Sequence, residues 1–211
     1  MKNLFLLAVA FICFSTLNAQ KNEVDFNNTS GLKMETEYGS DNSEVNDLLS
    51  FQGIDYMKVD FSGKDLKGKS YHLTVKEIWN GKVVNDTTVF DSKNLGIKQF
   101  ETINDSILSM RIIARHTGKN LRVKFKFPRF SVTKDYDATG SEDYSLRNLA
   151  DESNLQIGYD KKFYFLAYIL PYEREDGSKS WCEVGTSGES IEKWGEKFGI
   201  EHYLLFEMKF D

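Results

Sequence analysis

The residues best suited by type and spacing to do chemistry fall in one run, Asp135-Tyr136-Asp137-Ala138-Thr139-Gly140-Ser141-Glu142-Asp143-Tyr144. Aromatic faces can stack on a sugar ring while carboxylates accept hydrogen bonds from its hydroxyls. Tyr136, Asp137, Asp143 and Tyr144 supply both kinds of group, and Trp181 is the tryptophan expected at the surface. These five residues are the candidate ligand-binding set. The same run partly imitates a calcium loop beginning at Asp135, but Leu146 stands where that loop needs a bidentate glutamate. A solvated acidic turn is therefore expected there, with no metal bound.

Other reactive residue types lack the spacing that chemistry needs. His72, His116 and His202 show no close His-x-His or His-Glu-x-x-His arrangement, so three structurally unrelated histidines are expected. Cys182 has no legible base beside it and reads as a packed, inert thiol. Gly185-Thr186-Ser187-Gly188 is one residue short of a nucleophile elbow, and reads instead as a helix start. No catalytic residue, metal-ligand set or cofactor motif is assigned.

The elements that must position the candidate set are strands. Tyr71 to Phe90 holds two β-branched and aromatic runs joined by Asn80-Gly81, which predicts a hairpin with a type I′ turn. Pairing outward from that turn sets Trp79 against Lys82, Ile78 against Val83, Thr74 against Thr87 and Tyr71 against Phe90. It also sets Val75 against Asp86, an unfavourable pair that calls for a bulge near Lys76-Glu77 or a ladder that opens beyond Asn85. Ile54 to Phe61, Ile107 to Ala114 and Leu121 to Phe127 alternate apolar with polar residues, as half-buried strands do. The basic and aromatic residues of the last run point to opposite faces, which argues against a nucleic-acid surface.

Phe163 to Leu170 is apolar on both faces and reads as a covered strand. Asp135 to Asn154 reads as a long polar connection with one helical turn. Near the end, Thr186 to Glu189 fits a capping box, and Ile191, Trp194 and Phe198 form one apolar stripe of a short helix. That stripe predicts Trp194 in the core. Ile200 to Phe210 then places His202, Leu204, Phe206, Met208 and Phe210 on one face. The sum is a mainly β chain: a single antiparallel β-sandwich of about eight or nine strands, with one short helix before the last strand. A closed antiparallel barrel is the alternative.

Residues 1–19 resemble a bacterial signal peptide: Lys2, an apolar run from Leu4 to Phe14, and a small residue, Ala19, at the cleavage point. Residues 20–49 read as a polar leader holding at most one edge strand, and residues 50–211 as one β domain. With 32 acidic against 27 basic residues in 211, and a net charge of −5, nucleic acid is an unsuitable partner. The apolar run is too short to span a membrane, which takes about 20 residues. The functional expectation is an exported, periplasmic or extracellular protein of a Gram-negative bacterium. It binds a carbohydrate or another exported protein and leans away from enzymatic activity. A secreted hydrolase working through paired carboxylates is the alternative.

Overall fold

The computed structural model describes residues 31–150, 155–181 and 191–211. The signal segment, Cys182, the Gly185–Gly188 run and the capping box at Thr186–Glu189 lie outside the described residues. In chain order the strands are β1 (Lys33–Tyr38), β2 (Ile54–Ser62), β3 (Tyr71–Trp79), β4 (Lys82–Asp91), β5 (Ile107–His116) and β6 (Asn120–Lys126). They continue with β7 (Ser131–Asp137), β8 (Ser145–Asn148), β9 (Phe163–Ile169), β10 (Tyr172–Glu173), β11 (Lys179–Ser180) and β12 (His202–Phe210). Helix α1 (Ser43–Phe51) joins β1 to β2, and α2 (Trp194–Phe198) precedes β12.

Two five-stranded antiparallel sheets pack face to face, with orders β1-β2-β5-β6-β7 and β4-β3-β12-β9-β8. This is a β-sandwich. The barrel alternative is set aside, because neither pair of edge strands, β1 with β8 or β4 with β7, joins the two sheets into a ring. The alternation of each strand supplies the core: Met57, Val59 and Phe61 from β2, Leu121, Val123 and Phe125 from β6, and Leu73 and Val75 from β3 are all buried.

The β3–β4 hairpin turns where expected, with Asn80 at φ 49 and Gly81 at φ 76, the backbone of a type I′ turn. Trp79 faces Lys82 and Ile78 faces Val83, and then the register shifts. Val84 is extruded as a bulge between Ile78 and Glu77, so Val75 faces Thr87 and Lys76 takes Asp86. A second shift leaves Val89 unpaired, which moves Thr74 to Thr88 and Phe90 to Leu73. The expected pairs of Thr74 with Thr87 and Tyr71 with Phe90 are corrected accordingly. The bulge places an aspartate opposite a lysine rather than a valine, which is the physical gain.

Three other elements depart from the sequence reading. The 20–49 stretch contains the edge strand β1 and also α1, capped by the Asn42 side chain on the Glu44 and Val45 amides. Ser145–Asn148, read as part of a polar connection, is β8, whose Leu146 and Asn148 face inward on alternate positions. The C-terminal strand β12 is buried on both faces because it is the centre of its sheet and α2 covers its outer side. Tyr203 there accepts from the Gly195 amide at 3.2 Å and donates to the Glu192 carbonyl at 2.8 Å. Trp194 is fully buried. The hairpin turn packs against α2 so closely that a Cβ on Gly195 would sit 2.7 Å from the Gly81 Cα. Among the described residues no helix is long and apolar enough to cross a membrane.

Candidate functional site

Period two sorts side chains between the inside and outside of the sandwich, and it sends several polar ones inward at one end. Along β3, Leu73, Val75, Glu77 and Trp79 share the inner face, and β12 answers with Met208, Phe206, Leu204 and His202 directly opposite. Along β7, Tyr136 faces inward against Phe206, with ring centroids 6.2 Å apart. The polar end is thus built from the starts and finishes of strands in both sheets.

The two open edges of the sandwich differ. At the β1/β8 edge the Asn148 side chain donates to Thr36 Oγ1 at 2.8 Å and the Asn148 amide donates to the Tyr38 hydroxyl at 3.0 Å. At the β4/β7 edge the sheets part around a cleft of about 430 Å³. Val75, Glu77, Asn85 and Thr87 form one wall of it, Lys134 and Tyr136 the other, with Asp135 and Asp137 also at its border.

Glu77 is the most constrained group in the wall. It is buried, 5% exposed, and its two oxygens accept from the Trp79 indole N–H and the Asn85 amide, each at 2.9 Å. Behind it stands His202, fully buried, with Nε2 3.6 Å from Glu77 Oε1 and Trp79 packed on its ring at 4.1 Å. Burial holds the imidazole pKa down at about 4, against a smaller upward pull from Asp137. The neutral ring carries its proton best on Nε2, toward the carboxylate, because Tyr144 lies 2.7 Å from Nδ1 and can donate to it. The Tyr144 oxygen in turn accepts from the Thr139 amide at 3.1 Å, and burial raises its pKa.

The polar layer continues across the interior. The Tyr168 ring lies 5.6 Å from that of Tyr144, and Tyr168 hydrogen-bonds Asp55. Burial pushes the Asp55 carboxyl up to about 6, although the Leu146 amide, the Tyr168 hydroxyl and the Arg147 charge all favour its ionised form.

The structure separates the candidate residues. Tyr136 and Asp137 border the cleft, and Tyr144 lies just inside, beneath His202. Among the described residues the buried hydroxyl oxygen of Tyr136 has no hydrogen-bond partner. Asp143 instead pairs with Lys179 of β11 at 2.5 Å on the surface. Trp181 follows β11, with the Arg147 guanidinium 4.9 Å over its ring and its indole donating to the Ile169 carbonyl at 3.4 Å. A ring already covered by a guanidinium is a poor stacking platform.

The acidic run is no single loop: Asp135 and Asp137 belong to β7, and Leu146 to β8 in the other sheet. Among the described residues no group of three His, Cys, Asp or Glu side chains is placed to hold a metal ion. The histidines are not all unrelated. His116 and His202 flank the Tyr144 ring at 5.9 and 5.7 Å, while His72 sits at the far end, 3.2 Å from Thr88 Oγ1.

Comparison with protein-family models, curated proteins and solved structures finds no match. The functional reading rests on geometry. Glu77, Asn85 and His202 were not among the candidates drawn from the sequence. Glu77 and His202 had a legible signal, a polar residue in step with an apolar face. Asn85 had none, because only the Val84 bulge turns it toward Glu77.

Chemically, the cleft offers recognition more readily than acid–base catalysis. His202 has no exposed surface from which to exchange a proton with a bound substrate. Each Glu77 oxygen already holds one donor but can accept a second. Asn85, Thr87 and Lys134 add amide, hydroxyl and ammonium groups around it, while Tyr136 lines the opposite wall with its hydroxyl buried.

Proposed function

We propose that this protein is an exported, non-enzymatic binding protein that takes a segment of polysaccharide in the cleft between β4 and β7. Its place of action is the cell surface or the periplasm of a Gram-negative bacterium, an assignment that rests on the signal-like character of residues 1–19. The carrying observation is the cleft itself. Its volume of about 430 Å³ falls in the range of roughly 300–1,000 Å³ of small-molecule sites, and its wall mixes acceptors, donors and one aromatic ring. Such a wall suits a ligand whose surface is covered with hydroxyls.

The test is a polysaccharide-binding panel run with the natural protein and with Thr87→Trp, which plugs the cleft from its exposed edge strand. A plugged cleft should weaken binding at least about tenfold with the melting temperature unchanged. Equal binding by the plugged variant places the ligand elsewhere and rejects the reading.

A second reading, a hydrolase with paired carboxylates, draws on Glu77 and Asp137 bordering the same cleft. The two donors that hold Glu77 in place make it a fixed acceptor rather than a proton carrier. Incubation with the same polysaccharides should release no reducing ends. Release that disappears in Glu77→Gln favours the hydrolase.

A further inference from the structure

We infer that helix α1 is a docking face for a basic amphipathic helix of a protein partner. The face is separate from the cleft, because α1 joins β1 to β2 at the edge of the sheet opposite β7. Among the described residues eight large apolar side chains are well exposed, and four of them, Tyr38, Val45, Leu48 and Phe51, fall at the end of β1 and along α1. Val45, Leu48 and Phe51 recur every third residue, so they form one ridge about 9 Å long on the outer side of the helix. Phe51 is 88% exposed and Leu48 62%.

The ridge is held in place by polar contacts on the other side of α1. Asn42 caps the first turn, and the Asn46 side chain accepts from the Ser40 amide and donates to the Ser40 carbonyl, each at 2.7 Å. Asn46 and Leu49 are the half-buried positions of the helix, so the fold asks nothing of Val45, Leu48 or Phe51. Polar residues there would leave the same helix better hydrated. An exposed aromatic ring beside two aliphatic side chains suits a face that a partner covers. A ridge of this spacing packs into the groove of a second helix, and a helix already ordered loses little freedom in doing so.

Charge selects the partner. From Met34 to Met57 the chain has no basic residue and six acidic ones, of which Glu35, Glu37, Asp41, Glu44 and Asp47 are exposed. Lys58, which borders this run, is already engaged by Glu37 at 3.0 Å and by Asp41 at 2.9 Å. Glu44 and Asp47 stand one turn before Leu48 and Phe51, so their carboxylates run alongside the ridge. A second copy would set the same carboxylates against these, and an anionic membrane surface would repel them. Nor does the remainder of the chain complement the face. Beyond residues 1–19, which the signal reading removes, the stretches 20–30, 151–154 and 182–190 each hold more acidic than basic residues. The complement is an apolar stripe flanked by lysine or arginine.

The experiment is an amide-resonance titration with three peptides of about 14 residues, roughly four helical turns. One is an amphipathic helix of leucine and lysine, one has glutamate for lysine, and one has serine for leucine. The leucine–lysine peptide should shift residues 44–51 and bind at least about tenfold tighter than either of the others. Leu48→Gln with Phe51→Gln should weaken it about tenfold, and Glu44→Gln with Asp47→Asn about threefold. Neither pair should move the melting temperature, since all four side chains are exposed. Added salt should weaken the complex of the natural protein more than that of the Glu44 and Asp47 variant. Binding that the Leu48 and Phe51 changes leave intact, shifts elsewhere, or none with any peptide, overturns the docking face. Equal binding of the glutamate peptide overturns the basic partner, and equal binding of the serine peptide overturns the apolar ridge. Phe51-dependent dimers in sedimentation, or Phe51-dependent binding to phosphatidylglycerol vesicles, give the face to a second copy or a membrane and overturn the inference. The polysaccharide reading of the cleft stands or falls separately, on Thr87→Trp.

Discussion

The two ends of the sandwich interior are made of different material although the same strands run through both. At one end Phe61 is packed by Phe163, Phe165 and Phe210, with ring centroids 5.3 to 5.9 Å apart. Beside them Tyr71, Phe90, Phe127 and Phe130 form a second aromatic group, the last two stacked at 4.6 Å. At the other end the chain from Asp55 through Tyr168, Tyr144 and His202 to Glu77 occupies the equivalent depth. Aromatic burial is strongly favourable, whereas each buried polar group only recovers its lost hydration when it is hydrogen-bonded. The contrast teaches a division of labour. The aromatic end holds the sheets together, and the polar end gives up stability for an organised cleft.

The largest expected effect lies at the aromatic end. Phe61→Ala removes a fully buried ring with three aromatic neighbours and should cost about 3–5 kcal/mol in denaturant unfolding. A loss no greater than that caused by Tyr144→Phe would erase the contrast between the ends.

Next comes the pH dependence of the polar end, where two groups pull in opposite directions. Asp55 keeps its proton up to about 6 in the fold against an ordinary value of 3.8. Its contribution is present below 3.8 and is lost as pH rises through about 6. His202 resists protonation down to about 4 against an ordinary 6.5, so its contribution is present above 6.5 and is lost as pH falls through about 4. The two slopes offset each other in the natural protein. Asp55→Asn removes the falling one, so between pH 4 and 6.5 its stability should climb by about 2 kcal/mol more than that of the natural protein. Chemical unfolding across that range reads the difference. Parallel profiles would show that Asp55 is not held neutral by burial.

A smaller effect tests the backbone junction that frames the polar end. Gly81 has φ 76, and a Cβ there would lie 2.9 Å from the Glu196 amide nitrogen in α2. Gly81→Ala should therefore cost on the order of 1–2 kcal/mol. Gly140, where an added Cβ meets nothing within 4 Å, is the control and should tolerate alanine. Equal thermal shifts would mean that the turn and α2 do not depend on each other.

Much of the fold was legible because it depends on local signals. Asn80-Gly81 fixes its turn by backbone preference, the alternation of Leu121, Val123 and Phe125 fixes a face, and the Ile191–Trp194 spacing fixes a buried stripe. What escaped the sequence has a different physical origin. Helix α1 buries none of its residues, so no buried apolar stripe demanded it, and its start is set by the Asn42 cap and the Ser40–Asn46 hydrogen bonds. Strand β8 is four residues long, and its inward Asn148 is satisfied by β1, more than a hundred positions away in the chain.

The site divides in the same way. Tyr136 and Asp137 stood out by composition, and so did Asp143 and Trp181, which the structure sends to ion-pair and cation–π contacts beside β11. Composition could not separate the two pairs, because which edge opens is decided by how the sheets meet.

The central claim is that ligand recognition belongs to the polar end alone. The most direct measurement is the amide-resonance map of the natural protein with a saturating polysaccharide fragment. Shifts are expected at Glu77, Asn85, Thr87 and Tyr136, and none at Phe61, Phe127 or Phe210. Shifts centred on the aromatic end, or spread evenly over both, would contradict it.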